Sequence, residues 1–202
     1  MTPADGIDIG KTSKITMTCR YNVTDLLNFK LLRNEVTVAY LECSKSTNRF
    51  KTIVNKDGFD CTLAYCNEGE VTCWKRNPTC KDVAHYKCGT SSENSKTKFM
   101  KVRSRILSLG MISDKTFTIP WIIRCSAIVG LPSPPSVTFS WNIGTPDISI
   151  KVYKVRRVPP SRKCFVVVNA DYYYIVRERD LDYTTFTCKI FGTEISRIIN
   201  LD

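Results

Sequence analysis

Histidine is nearly missing from this 202-residue chain: His85 is the only one. It stands beside no free serine or cysteine nucleophile, and the chain has no GxSxG elbow and no glycine-rich loop to cradle a phosphate. Glu68 and Glu70 are close in sequence, but they read as part of a solvated loop rather than an acid/base pair in a cleft. No catalytic residue and no cofactor is therefore assigned, and the chain reads as non-enzymatic. Long apolar runs are missing too. The longest, around Ile119 to Ile123 and Phe165 to Val168, fall far short of the roughly 20 residues that a bilayer requires. Met1 is followed by polar residues rather than a basic and then apolar run, so the chain reads as a mature ectodomain or secreted protein without a leader. Low-complexity tracts and helical periodicity are absent, which excludes disordered and coiled-coil classes.

Acidic residues are scarce beside basic ones. Thirty Lys and Arg against 19 Asp and Glu give a net charge of +11, which favours anionic partners such as acidic protein faces or sulfated glycans, heparan sulfate among them. No recognition helix or aromatic RNA-binding motif accompanies the charge, so nucleic acid is not expected. Two cationic groups stand out: Lys96, Lys98, Lys101, Arg103 and Arg105, then Lys151, Lys154, Arg156, Arg157, Arg162 and Lys163. From Lys98 to Ile106 a strand is expected with Met100, Val102 and Ile106 on one side and Lys101, Arg103 and Arg105 on the other.

Cysteine is plentiful. Ten of them, spread from Cys19 to Cys188, suit a disulfide framework in an oxidising compartment. Zinc is the competing reading for Cys61, Cys66, Cys73 and Cys80, but the run lacks CxxC knuckles, so no metal is assigned. Asn22-Val23-Thr24 is a glycosylation sequon at Asn22.

The rest of the chain is patterned for strands. Ile15, Met17 and Cys19 alternate, as do Val36, Val38 and Tyr40, whose side chains are expected on one face. Asp57-Gly58 has turn chemistry. Leu107 to Asp114 is expected to be a linker or shared strand. Phe117, Ile119, Trp121, Ile123 and Cys125 alternate strictly, followed by Val137, Phe139 and Trp141 and then Ile148, Ile150 and Val152. Val158-Pro159-Pro160-Ser161 is expected to break the sheet. Cys164 to Val168 and Tyr172 to Val176 read as two short strands, and Thr193 to Ile199 closes the chain. Many short strands with turns every 8 to 12 residues make this an all-β sandwich chain.

One layout occurs twice: Asp82, Tyr86 and Cys88, and again Asp182, Phe186 and Cys188. Cys125 precedes Trp141 by 16 residues and Cys188 by 63, and Cys19 precedes Cys88 by 69. These residues resemble the immunoglobulin superfamily, in which a disulfide joins two facing sheets, a tryptophan packs on it and a tyrosine two residues before the second cysteine ties a corner. The resemblance implies two tandem immunoglobulin-like β-sandwiches, a variable-like domain over 1–108 and a second over 109–202. It also implies the bridges Cys19–Cys88 and Cys125–Cys188. In the first domain the tryptophan position is expected to be filled by Tyr40, or by Leu32. In the second, Phe186 lacks the corner hydroxyl, which a neighbour such as Tyr183 would replace.

Six cysteines are left without a partner by this assignment: Cys43, Cys61, Cys66, Cys73, Cys80 and Cys164. Five fall in the first domain and one in the second. Either a bridge crosses between domains, or Cys164 and one other are free or pair with another chain. The segment Cys61 to Cys80 is a candidate binding loop. Trp74, Tyr172, Tyr173 and Tyr174 are candidate protein-interface residues, some of which alternation must bury. The resemblance implies an extracellular protein that recognises a protein ligand, as a cell-surface receptor or adhesion ectodomain. A secreted decoy or immune modulator, and a heparan sulfate or matrix-binding protein, are the other readings.

Overall fold

The computed structural model describes residues 1–21, 26–63, 65–67, 69–90, 93–112, 120–131, 139–143, 149–151, 155–162, 164–175, 184–190 and 193–199, with backbone alone for 140, 142–143, 149–151, 155–162, 184 and 193–199. The chain divides into two compact units, Met1–Val102 and Arg103–Asp202. Each is built from two antiparallel sheets.

In the first unit β1 (Lys14–Arg20) pairs with β6 (Glu70–Arg76), and β6 with β5 (Phe59–Cys61). The second sheet runs β4 (Arg49–Asn55), β3 (Val36–Ser44), β2 (Asn28–Arg33), β7 (His85–Gly89), β8 (Lys98–Phe99). Period-two alternation buries Ile15, Met17 and Cys19 of β1 and leaves its threonines and cations outside. Phe29, Leu31, Leu41, Phe59 and Val71 fill the space between the sheets. Cys19–Cys88 joins β1 to β7 through that core, with Cα atoms 6.2 Å apart. Asp57 and Gly58 both take positive φ, 56° and 76°, as the Asp-Gly turn requires.

Strand β2 is one of the elements that alternation does not reveal. It enters β3 through a tight turn at Asn34 and Glu35, both at positive φ (48° and 66°) without a glycine to mark it. The pairing of β2 with β3 slips between Leu31 and Leu32, so that Leu31 faces Ala39 and Leu32 faces Thr37. One extra residue reverses the inward face. Val38, Ala39 and Leu41 are buried, Tyr40 turns outward, and Val36 is 61% exposed. Leu31, not Tyr40 or Leu32, therefore stands opposite Cys88 in the tryptophan position.

After β8, Met100 and Val102 are buried while Lys101 and Arg103 are exposed. The alternation is as expected from Met100 to Arg103 but not at Arg105 and Ile106, which are both half-buried; ladder pairing stops at Phe99, and the next strand is β9 (Arg105–Met111). This strand covers most of the stretch expected as a linker or shared strand, and it pairs with β10 (Trp121–Gly130) in the second unit.

The second unit has one sheet in the order β13 (Val155–Arg162), β14 (Phe165–Tyr174), β10, β9. The other is β12 (Ser149–Lys151), β11 (Ser140–Ile143), β15 (Thr184–Ile190), β16 (Thr193–Ile199). Trp121, Ile123, Cys125, Ala127 and Val129 of β10 all point inward. Cys125–Cys188 joins β10 to β15 with Cα atoms 6.4 Å apart, and fully buried Trp141 stands opposite Cys188. Two expectations are corrected. Residues 164–168 and 172–176 are not separate strands, because β14 is continuous over ten residues. Pro159 and Pro160 do not end the strand: they lie within β13, an edge strand, but the ladder with β14 is interrupted at them, Val158 facing Val167 and Arg162 facing Phe165. Tyr183 lies outside the described residues.

Candidate recognition surface

Buried Asp82 anchors one end of the first unit. It closes a one-turn 3-10 helix, Cys80–Asp82, by a capping box with Thr79, whose backbone N–H donates to the Asp82 carboxylate at 2.7 Å. Arg33 Nη1 and Lys75 Nζ donate to the same carboxylate at 3.2 and 2.8 Å. Arg33 also pairs with Asp57. Burial alone would lower the Arg33 guanidinium, but the bond to Asp57 and the fields of Tyr86, Asp57 and Asp82 outweigh it and leave it raised. These groups neutralise one another and are structural rather than poised for chemistry.

The opposite ends of the strands carry loops, and these are tied together. Cys43–Cys66 fastens the β5–β6 connection to the end of β3. Three backbone bonds reinforce it: Leu26 N–H to Cys66 O at 3.2 Å, Cys43 N–H to Leu27 O at 2.9 Å, and Cys66 N–H to Asn48 O at 3.0 Å. Arg49 lies over the Tyr65 ring at 4.5 Å and donates to its hydroxyl at 2.7 Å. On this braced frame Leu27 is 64% exposed, Leu63 56% and Tyr65 43%. Apolar side chains held out to solvent on backbone tied by a disulfide and cross-chain hydrogen bonds suit protein recognition, since such ties leave less conformational freedom to lose on contact. Sequence reasoning singled out Cys61 to Cys80 but named none of these three residues, because isolated exposed leucines carry no periodic signature.

The cysteine framework answers the open pairings in part. Cys61–Cys73 links β5 to β6 at directly opposed positions. Cys80 and Cys164 are disulfide-bonded as well, so no described cysteine is a free thiol. A chain with all ten cysteines oxidised belongs to an extracellular setting. No group of ligands suited to a metal occurs among the described residues.

The candidate aromatics divide. Tyr172 and Tyr174 pack on the core, Tyr172 at 5.7 Å from Trp141 and Tyr174 edge-on to Phe186 at 5.2 Å. Tyr173 alone of the three is exposed. Trp74 lies half-buried on the outer face of β6 beneath Lys14, whose Nζ is 5.0 Å from the ring. Among the cations, Lys96, Lys98, Lys101 and Arg103 are exposed and Arg105 is half-buried in β9. Lys151, Arg156, Arg157 and Arg162 lie on β12 and β13, described by backbone alone, while Lys154, Lys163 and Asn22 fall outside the described residues.

Paired antiparallel sheets, a disulfide through each core, a tryptophan on the second and a corner tyrosine before the first define the immunoglobulin fold, present here as two tandem sandwiches. Among solved structures, the extracellular portion of mouse CD200RLa is similar, with a TM-score of 0.55 and 12% sequence identity over 94% of each chain. No family model matches this chain. No curated protein matches it in sequence.

Proposed function

We propose that the chain is a non-enzymatic extracellular binding protein that recognises a protein ligand through the disulfide-braced loop end of its first unit. The observation that carries this reading is the exposure of Leu27, Leu63 and Tyr65 on segments fastened by Cys43–Cys66. The likeness to an extracellular portion of a mouse protein supports the setting. A receptor or adhesion ectodomain and a soluble decoy use this surface alike. Heparan sulfate binding through the exposed lysines is the competing reading.

The test is an arrayed screen of extracellular proteins against the disulfide-intact chain, run beside a Leu27→Asp, Leu63→Asp, Tyr65→Ala variant. A ligand held by the parent and lost by the variant supports the proposal. Equal capture by both, or retention only on heparin that is lost when Lys101, Arg103, Arg105, Arg156 and Arg157 are reversed, overturns it.

A further inference from the structure

Strand β6 lies between β1 and β5, and Trp74 stands directly across from Thr16 on one side and Asp60 on the other. Alternation turns all three outward, because Ile15, Met17, Phe59, Cys61 and Cys73 beside them take the buried positions. Cys61–Cys73 joins the two strands at the next pair along, so the places of Asp60 and Trp74 are held by a ladder and a disulfide together. Asp60 Oδ1 accepts from the Cys61 N–H at 2.9 Å, which fixes the carboxylate and leaves Oδ2 to solvent. The indole N–H of Trp74 donates to no group among the described residues.

Two residues along the same face, Lys14 and Arg76 are directly opposed and both exposed. Like charges across a ladder repel. Neither has a carboxylate partner among the described residues, whereas Arg20, at the far end of this face, is paired with Glu70. Lys14 Nζ is 5.0 Å from the Trp74 ring. Every other outward position on β1, β5 and β6 is a threonine or a charged residue. A protein contact is built around several aromatic and aliphatic anchors that together exclude water. One indole ringed by charges and hydroxyls instead suits a sugar, which lays its C–H face on the ring and its hydroxyls on the polar groups.

We propose that this face binds an unsulfated glycan chain through one internal hexuronate. The sugar ring stacks on Trp74, its carboxylate meets Lys14 and Arg76, and its hydroxyls donate to Asp60 Oδ2. Strand spacing sets these groups roughly 5–7 Å from the indole position on two different sides of it, within reach of a single sugar ring. Charge complementarity selects the carboxylate, since the two cations are uncompensated on a chain of net charge +11. Asp60 selects against sulfate, which it repels where a hydroxyl would donate. The face is a sheet surface rather than a closed pocket, so the chain can continue on both sides of the bound unit. The loop end takes no part, and failure of either reading leaves the other standing.

The probe is a hyaluronan hexasaccharide, titrated into the full disulfide-intact ¹⁵N-labelled chain, with its carboxyl-reduced form, a heparin hexasaccharide and sialyllactose in parallel. The proposal expects a saturable shift of the Trp74 indole N–H with the first probe and binding about tenfold weaker or worse with the other three. Trp74→Ala removes the binding. Lys14→Glu with Arg76→Glu weakens it about tenfold, the scale of two exposed charges. Asp60→Asn, which keeps the Oδ1 acceptor, also weakens it, while the Leu27→Asp, Leu63→Asp, Tyr65→Ala variant binds as the parent does. The charge variant decides the matter if the Trp74 variant does not fold. No shift at Trp74, equal binding of the carboxyl-reduced chain, hyaluronan binding indifferent to the charge reversals, or tighter binding of heparin or sialyllactose would each overturn it.

Discussion

The Tyr86 hydroxyl donates to the backbone carbonyl of Asp82 at 3.2 Å, while the Asp82 side chain accepts from Arg33, Lys75 and the Thr79 backbone. One residue thus serves the corner with its carbonyl and the base of the sandwich with its carboxylate. The chain separation of four residues between them lets a single turn fix where β7 enters its sheet.

Replacing Asp82 with Ala leaves two largely buried cations, Arg33 and Lys75, without their shared carboxylate and removes the cap of the 3-10 turn. The expected loss is about 3–5 kcal/mol of first-unit stability. Urea denaturation followed through the amide hydrogen exchange of β1 and β7 checks it, and a midpoint within error of the parent sinks the account.

Burial, and after it the Asp82 charge, pushes the Tyr86 hydroxyl well above its ordinary value of 10.0. A group with a raised folded value contributes stability that is whole below 10.0 and drains away as pH rises beyond it, because the unfolded chain releases its proton first. Tyr86→Phe is expected to cost about 1 kcal/mol at neutral pH and to flatten the alkaline limb of the stability curve. Melting temperatures measured from pH 7 upward for both proteins decide this.

In the second unit Arg124 grips Asp171 directly across the ladder, Nε to Oδ1 at 2.7 Å and Nη2 to Oδ2 at 2.8 Å. That bond raises the guanidinium further, against a small opposing effect of burial. Arg124→Lys keeps the charge and loses the fork, so it should forfeit most of what Arg124→Ala forfeits, about 1–3 kcal/mol. Lysine restoring full thermal stability would show that charge alone matters here.

Trp141→Ala should cost about 3–5 kcal/mol, since a fully buried indole against Cys125–Cys188 is removed from a packed interior. The first-unit counterpart, Leu31→Ala, removes less volume and should cost about 2–3 kcal/mol. Equal losses in thermal denaturation would contradict the difference in packing between the two units.

Strict alternation made β1 and β10 legible, because both strands bury one face and wet the other. The repeated acid, aromatic and cysteine layout made the paired sandwiches legible for a different reason: the corner is local, spanning seven residues. Strand β2 was hidden by a turn built from Asn34 and Glu35, whose positive φ no glycine advertises. The slip at Leu31 inverts the faces of β3, so the sequence pattern points to Tyr40, or to Leu32, for the tryptophan position that Leu31 fills. The braced loop end escaped notice because its backbone bonds join residues far apart in sequence, and no one-dimensional pattern records that Leu26, Asn48 and Cys66 meet.

Edge strand β13 bears Pro159 and Pro160 in succession. Successive N–H groups of a strand point to opposite edges, so two adjacent prolines take a donor from the outermost row whichever of them faces out, and a second chain laid along this edge finds no continuous ladder to extend. For a disulfide-rich protein that interruption amounts to built-in resistance to sheet-to-sheet aggregation along β13, and exchanging both prolines for threonine should shorten the time the protein stays clear in concentrated solution.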